Sequence, residues 1–409
     1  MRVDPLAFSA VSAFLRRRMA LVAWIGALGL SSCGGGSGGD SALVTSPADP
    51  VVITVGPGEF KTAKALKEFP AADIAKAISD SAGSLPAVTV RYAVKSYRLE
   101  YLTLGGDGKQ VLASALVNVP VKPAGTSSPV LALQHGTISR DAEAPTNEVA
   151  ASKVSVVLAS TGYIVLAPDY VGYGSSKGQP HPYLLAAPSA SVLVDLLTAA
   201  KYWRQTSGVT DNRQLFFVGY SEGAYVSMAA ARSLASSISP HAKNLSLVVA
   251  GGGPYNVSAT LDALLQRIRS ENAVLGVLIN PGFLKFLGDG ARASVRNALL
   301  GEMLDSNADV TFQSTLIDNF LADNTAAIDA QSNVYDWKPS VPTLLFHGRD
   351  DQTVAYQSSS STLQAMQSRG AAAFVSMADC QRIPSGHLEC VPLFWQFVVS
   401  QLAAVAHDL

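Results

Sequence analysis

The chain has 409 residues, 48% of them hydrophobic and 15% charged, with a formal net charge of −1 at pH 7. That supplies a large core for one big domain or two smaller ones, and a near-neutral balance excludes the polyelectrolyte character with which proteins bind nucleic acid. The bulk numbers say soluble and globular and no more. In chain order, the first feature is N-terminal. Arg16, Arg17 and Arg18 precede the apolar run Met19–Leu30, and small residues follow it in "LSSCGGGSGGDS". A basic stretch, a short apolar run and small residues read as a secretory signal. The run is shorter than the ~20 residues of a comfortable membrane span.

Leu30-Ser31-Ser32-Cys33 resembles the bacterial lipobox, whose cysteine receives lipid and becomes the first mature residue. The resemblance implies a lipoprotein signal peptide over 1–32 and lipidation at Cys33; an ordinary cleaved signal with a chance cysteine is the alternative. Gly34 stands where aspartate would mark inner-membrane retention, so the expected location is the outer membrane, facing the periplasm or the exterior. Residues 33–58, rich in Gly, Ser, Pro and Asp, read as a flexible spacer between anchor and domain.

A helix is expected over Thr62–Asp80. Two alternating segments follow: Tyr97, Leu99 and Tyr101 share one face, and Val111, Ala113, Ala115, Val117 and Val119 share another, with "GGDGK" between them. That is a hairpin. The pattern then changes to unbroken apolar runs separated by helical stretches: "PVLALQHGT", "GYIVLAPDY", "LFFVGYS", "LSLVVAGGG", "PTLLFHGRDD" and "AAFVSM". Strands without alternation are buried on both faces, as in a parallel sheet covered by helices. The expected fold is therefore α/β: a doubly wound, mostly parallel sheet entered through an antiparallel hairpin. Between "VVAGGGPY" and "VPTLLFHG" lie roughly eighty residues of helical patterning, with Leu261, Leu264, Leu265 and Ile268 at i, i+3, i+4 and i+7 and an apolar "VLGVLINPGFLKFL" beyond. These are either extra helices on the core or a helical cap over the sheet's C-terminal edge, and the cap is the expectation. The organisation is then core over 59–254, cap over 255–336 and core again over 337–409.

Gly219-Tyr220-Ser221-Glu222-Gly223 closes a predicted strand and opens a predicted helix, the setting of a nucleophile elbow that lifts one hydroxyl into a cleft. A serine needs a base, and the base needs an orienting carboxylate, in the chain order Ser, Asp or Glu, His. Four histidines follow Ser221. His241 precedes a strand and so sits at the wrong edge, His347 ends a strand beside Gly348 and shapes a turn, and His407 lies in the expected terminal helix. His387, in "IPSGHLE" between the last strand and the last helix, is where the base belongs. The carboxylate comes from the loop after "VPTLLFHG", which offers Asp350 and Asp351.

On these residues the chain, from roughly Tyr97 to its C-terminus, resembles the serine hydrolases of the α/β-hydrolase superfamily. The acid there often stands in H-G-x-x-D-x-x-V, matched by His347, Gly348, Asp351 and Val354, which implies Asp351 with Asp350 the alternative. Gln134-His135-Gly136-Thr137 resembles the superfamily's oxyanion loop and implies the Thr137 amide as one donor; the amide of Glu222, after the nucleophile, is the other. "PDYVGYGSS" (Pro168–Ser176) resembles a superfamily stretch that shapes the cleft floor, and with "HPYL" it is similar to secreted lipase-like esterases; no chemistry is assigned to it. Cys380 and Cys390 bracket the His387 loop, and an even count in an exported chain implies a disulfide.

The expected activity is carboxylic-ester hydrolysis on a small-molecule or lipid ester through a Ser221-His387-Asp351 triad, with no cofactor or metal and no nucleic-acid partner. Membrane contact is expected through the N-terminal anchor alone. A serine peptidase of the same superfamily and a non-catalytic binding protein on the same fold are the alternatives.

Overall fold

The computed structural model describes residues 50–271, 284–304 and 306–409. The signal segment, Cys33, most of the expected spacer and residues 274–283 of the apolar stretch lie outside them. In chain order the elements are β1 (Phe60–Phe69), α1 (Ala71–Asp80), β2 (Val94–Leu104), β3 (Gln110–Pro120), β4 (Ser128–Gln134), α2 (Val154–Ala159), β5 (Ile164–Pro168) and α3 (Ala186–Ser207). Then follow β6 (Asp211–Tyr220), α4 (Glu222–Ala235), α5 (Pro240–Asn244), β7 (Leu245–Gly251), α6 (Val257–Glu271) and α7 (Asp289–Met303). The last are α8 (Thr315–Leu321), α9 (Thr325–Gln331), β8 (Thr343–His347), α10 (Tyr356–Met366), β9 (Val375–Asp379) and α11 (Val391–Ala403).

The strands form one sheet in the order β1-β2-β3-β5-β4-β6-β7-β8-β9. β1, β2 and β3 pair antiparallel, as does β3 with β5; from β5 to β9 every pairing is parallel. The β2–β3 hairpin runs in unbroken register from Leu104↔Gln110 to Val94↔Pro120, closed through Gly108 at φ 74°. Because β5 lies on one side of β4 and β6 on the other, the loops leaving β4 and β6 diverge. That is the switch point at which open α/β sheets hold their ligands.

The expected helix over Thr62–Asp80 is corrected. Its first part is β1, an edge strand paired to β2 from Phe60 to Phe69, and only Ala71–Asp80 is helical, beginning after Pro70. Lys, Ala and Leu in this stretch favour a helix in isolation, but pairing with β2 decides the matter. Lys61, Lys64 and Lys67 then do what lysines do on an edge, keeping it from pairing further.

The sheet is buried on both faces. Along β6, Leu215 and Phe217 feed one apolar cluster with α3 and α4, while Phe216, Val218 and Tyr220 feed the other with α2 and α11. The period-two alternation therefore separates two cores rather than core from solvent. Helices α6 to α9 fall between β7 and β8, and their buried residues Leu261, Leu265, Leu299, Leu316 and Phe320 join the first cluster.

Candidate active site

Ser221 sits between β6 and α4 with φ 57° and ψ −124°, a conformation that non-glycine residues rarely occupy. The flanking glycines are required by contact. A Cβ on Gly219 would lie 2.2 Å from the Gly223 carbonyl, and one on Gly223 would lie 2.2 Å from the Gln134 carbonyl oxygen. The turn is held by the Ser221 amide donating to Gly251 O at 2.8 Å. A further non-glycine residue at positive φ, Leu184 (52°), lines the cavity onto which Ser221 opens.

Three loops at the same sheet edge converge on this serine. His387 Nε2 is 2.9 Å from Ser221 Oγ, and His387 Nδ1 is 2.6 Å from Asp351 Oδ2. The other carboxylate oxygen, Oδ1, accepts from the amides of Thr353 and Val354 at 2.9 and 2.8 Å. His387 is buried and the Asp351 side chain is wholly so. Burial by itself raises the Asp351 carboxyl, but hydrogen bonds from His347 and His387 and their charges overcome it, and the group titrates well below the ordinary carboxylate range. With an acceptor on Nδ1, the imidazole carries its proton there and leaves Nε2 free to accept the serine's.

The neighbouring Asp350 is elsewhere. Its Oδ2 accepts from the amide and hydroxyl of Ser385 at 2.8 and 2.9 Å, tying the acid loop to the His387 loop without reaching the imidazole. His347 has a larger part than shaping a turn. Fully buried, it donates from Nε2 toward Asp351 Oδ2 (3.1 Å) and Val354 O (2.9 Å), while Nδ1 meets Ser359 Oγ at 2.6 Å. Tyr220, directly before Ser221, donates to the His387 carbonyl at 2.6 Å. Its place beside the serine in the G-x-S-x-G run was the available signal, and nothing local said where its hydroxyl would go.

The other histidines keep away. His241 Nε2 bonds Thr198 Oγ1, and burial depresses its pKa to about 4. His407 lies past the end of α11, in the exposed tail rather than in a helix. Cys380, next after β9, and Cys390, next before α11, are joined by a disulfide that closes the His387 loop.

Glu222 is the first residue of α4, where a backbone N–H has no intrahelical acceptor. Across from it the loop after β4 brings Gly136 against the serine: a Cβ there would lie 3.6 Å from Ser221 Cβ. Thr137 follows, its hydroxyl 3.2 Å from that of Tyr183. Ser221, His387, Gly136 and Thr137 open on a cavity of about 970 Å³, walled on one side by Val257, Leu261 and Leu264 of α6. The arrangement can activate a hydroxyl against a carbonyl carbon beside amide donors and apolar surface.

Residues 130–401 match the sequence model of the alpha/beta hydrolase family. No curated protein matches. Among solved structures, the rice cell wall degrading esterase LipA from Xanthomonas oryzae aligns with a TM-score of 0.67 at 22% identity, over 87% of this chain and 99% of that one. Candida antarctica lipase A aligns with a TM-score of 0.51 at 19% identity, over 81% of this chain and 78% of that one. At these identities the likeness is one of fold. The chain belongs to the alpha/beta hydrolase family.

Proposed function

We propose that this alpha/beta hydrolase is a serine esterase that cleaves carboxylic esters through an acyl-enzyme, with Ser221 as nucleophile, His387 as base and Asp351 as its orienting acid. The observation that carries the reading is the continuous relay Ser221 Oγ–His387 Nε2 (2.9 Å) and His387 Nδ1–Asp351 Oδ2 (2.6 Å). Ser221 Oγ attacks the ester carbonyl while its proton passes to His387 Nε2. The tetrahedral oxyanion is taken by the amides of Glu222 and Thr137, donors fixed before charge develops. Collapse breaks the bond to the alkoxy oxygen, which leaves as the alcohol with the proton from Nε2. Water then attacks the acyl-serine and gives a proton to His387 Nε2; collapse breaks the acyl–Oγ bond, releasing the acid as Nε2 returns that proton to Ser221 Oγ. Esterase and lipase neighbours support the ester class, and the apolar wall of α6 suits an acyl chain. In this reading α6 to α9 serve as a cap over the cleft. The N-terminal segment exports the chain and tethers it through Cys33 to the outer membrane.

Ser221→Ala with retained fold is expected to lower hydrolysis of p-nitrophenyl butyrate by about 10⁴-fold or more and to abolish labelling by a fluorophosphonate probe. A variant keeping a tenth of the activity overturns the assignment. Faster turnover of a matched aminoacyl amide than of its ester would make the chain a peptidase, and a wild-type protein inert to the probe would make it a binding protein.

A further inference from the structure

The segment "PDYVGYGSS" and the "HPYL" that follows have no place in the relay above, yet they enclose a buried hydrogen-bond partner of the nucleophile's neighbour. The Glu222 side chain, 3% exposed, meets His181 Nε2 at 2.7 Å, and His181 is itself 4% exposed. The other ring nitrogen, Nδ1, lies 2.8 Å from Val171 O. A carbonyl only accepts, so Nδ1 carries a proton. The second proton between Nε2 and the carboxylate is then shared by the pair, whichever atom holds it. Rings of Tyr170, Tyr173, Tyr183 and Phe312 stand 5.2–6.0 Å from the imidazole and exclude water from it.

Two residues on, the Tyr183 hydroxyl meets Thr137 Oγ1 at 3.2 Å. One tripeptide therefore grips the side chains of Glu222 and Thr137, which are the two residues whose amides the esterase reading puts on the oxyanion. Its own backbone is pinned: His181 N donates to Thr311 O (2.7 Å) and Gln313 N to His181 O (2.8 Å). Gly172, at φ 104°, is a glycine because a Cβ would come within 2.9 Å of His181 Cβ. Leu184, directly after Tyr183, holds its strained φ of 52° at the cavity wall. Strain of this kind persists only where surroundings over-determine the backbone.

We propose that His181-Pro182-Tyr183 is the positioning element of the oxyanion site, fixing the Glu222 amide through the His181–Glu222 pair and the Thr137 amide through the Tyr183 hydroxyl. The inference rests on the esterase reading. Positioning residues act on the transition state and leave ground-state binding alone, so their loss falls on kcat. Removing an oxyanion donor costs about 10²–10³ in kcat, and misplacing one costs less.

The test compares wild type, Tyr183→Phe, Glu222→Gln and Glu222→Ala on p-nitrophenyl butyrate and with an alkyl boronic acid, whose tetrahedral serine adduct puts an oxygen on the donors. Tyr183→Phe removes one half-buried hydroxyl and should fold normally; kcat should fall about tenfold with KM within about twofold, and boronate affinity should fall in step with kcat. Glu222→Gln, whose amide can donate to a neutral His181 Nε2, should restore most of the kcat that Glu222→Ala loses. Glu222→Ala, which leaves His181 unpaired, should lose at least tenfold more than Glu222→Gln, with thermal melts confirming the folded fraction. Unchanged kcat and boronate affinity in Tyr183→Phe overturn the proposal, as does a kcat loss that boronate affinity does not follow. Wild type inert to both p-nitrophenyl butyrate and a fluorophosphonate overturns the esterase reading and this inference with it; an active wild type with indifferent variants overturns this inference alone.

Discussion

Replacing Asp351 by Asn isolates what the buried carboxylate does for His387. The two oxygens have different partners: Oδ1 accepts from the Thr353 and Val354 amides, and Oδ2 from the imidazoles of His387 and His347. An asparagine must put its oxygen on the two backbone amides, because the opposite flip would set an NH₂ against two N–H donors in a dry site. Its nitrogen then faces His387 Nδ1 and donates to it, forcing the imidazole proton onto Nε2. A protonated Nε2 cannot take the proton of Ser221, 2.9 Å away. The expected loss in kcat is about 10⁴-fold, or about 5.5 kcal/mol, the cost of the wrong tautomer in a serine triad, with KM little changed. Asp350→Asn, one residue earlier, should cost no more than about tenfold, since it loosens the Ser385 contacts and leaves the imidazole paired. Steady-state kinetics on p-nitrophenyl butyrate, with circular dichroism to check the fold, reads both. Asp351→Asn retaining a tenth of wild-type kcat, or Asp350→Asn proving the more damaging of the two, refutes the reasoning.

Reduction of Cys380–Cys390 should depress activity below the temperature of global unfolding by loosening the loop that carries His387; the chain-entropy estimate for an eleven-residue loop is roughly 2.5–3 kcal/mol, and full activity in the reduced protein would leave the bridge without influence on the site. Asp169 is fully buried, which pushes its pKa up to about 6 despite hydrogen bonds from Ser114 and Thr146. The folded state thus holds a proton that the unfolded chain releases near its ordinary value of about 4, so this group's contribution falls as pH rises from about 4 to about 6, by up to about 3 kcal/mol, and is level above. Asp169→Asn should remove that slope from a denaturant-midpoint series across this pH range, and an unchanged slope would count against it. Under the proposed lipid anchor, Cys33→Ser should move the protein from the membrane fraction to the soluble one with specific activity unchanged. Wild type that takes up no labelled palmitate in a bacterial host would refute the anchor.

Much of the architecture was legible because its signals are local. Unbroken apolar runs such as Leu215–Tyr220 can be satisfied only by burial on both faces, and they became parallel strands. The elbow was readable because Gly219 and Gly223 answer clashes within a few residues of Ser221 and with the strand beside it. The placement of His387 beside Ser221 was readable because one loop joins the last strand to the last helix. What stayed hidden depends on partners distant in sequence. Thr62–Asp80 reads as one helix until β2 supplies an edge with which its first part, up to Phe69, pairs. The two adjacent aspartates are chemically alike, and only the fold turns Asp351 toward His387, 36 residues on, and Asp350 toward Ser385. His347 reads as shaping a turn and the segment holding His181 is assigned no chemistry, yet each histidine closes a buried hydrogen bond to a carboxylate. A buried polar group is satisfied by whatever the folded chain brings within 3 Å of it, and His181 finds its partner 41 residues away, on the first residue of α4.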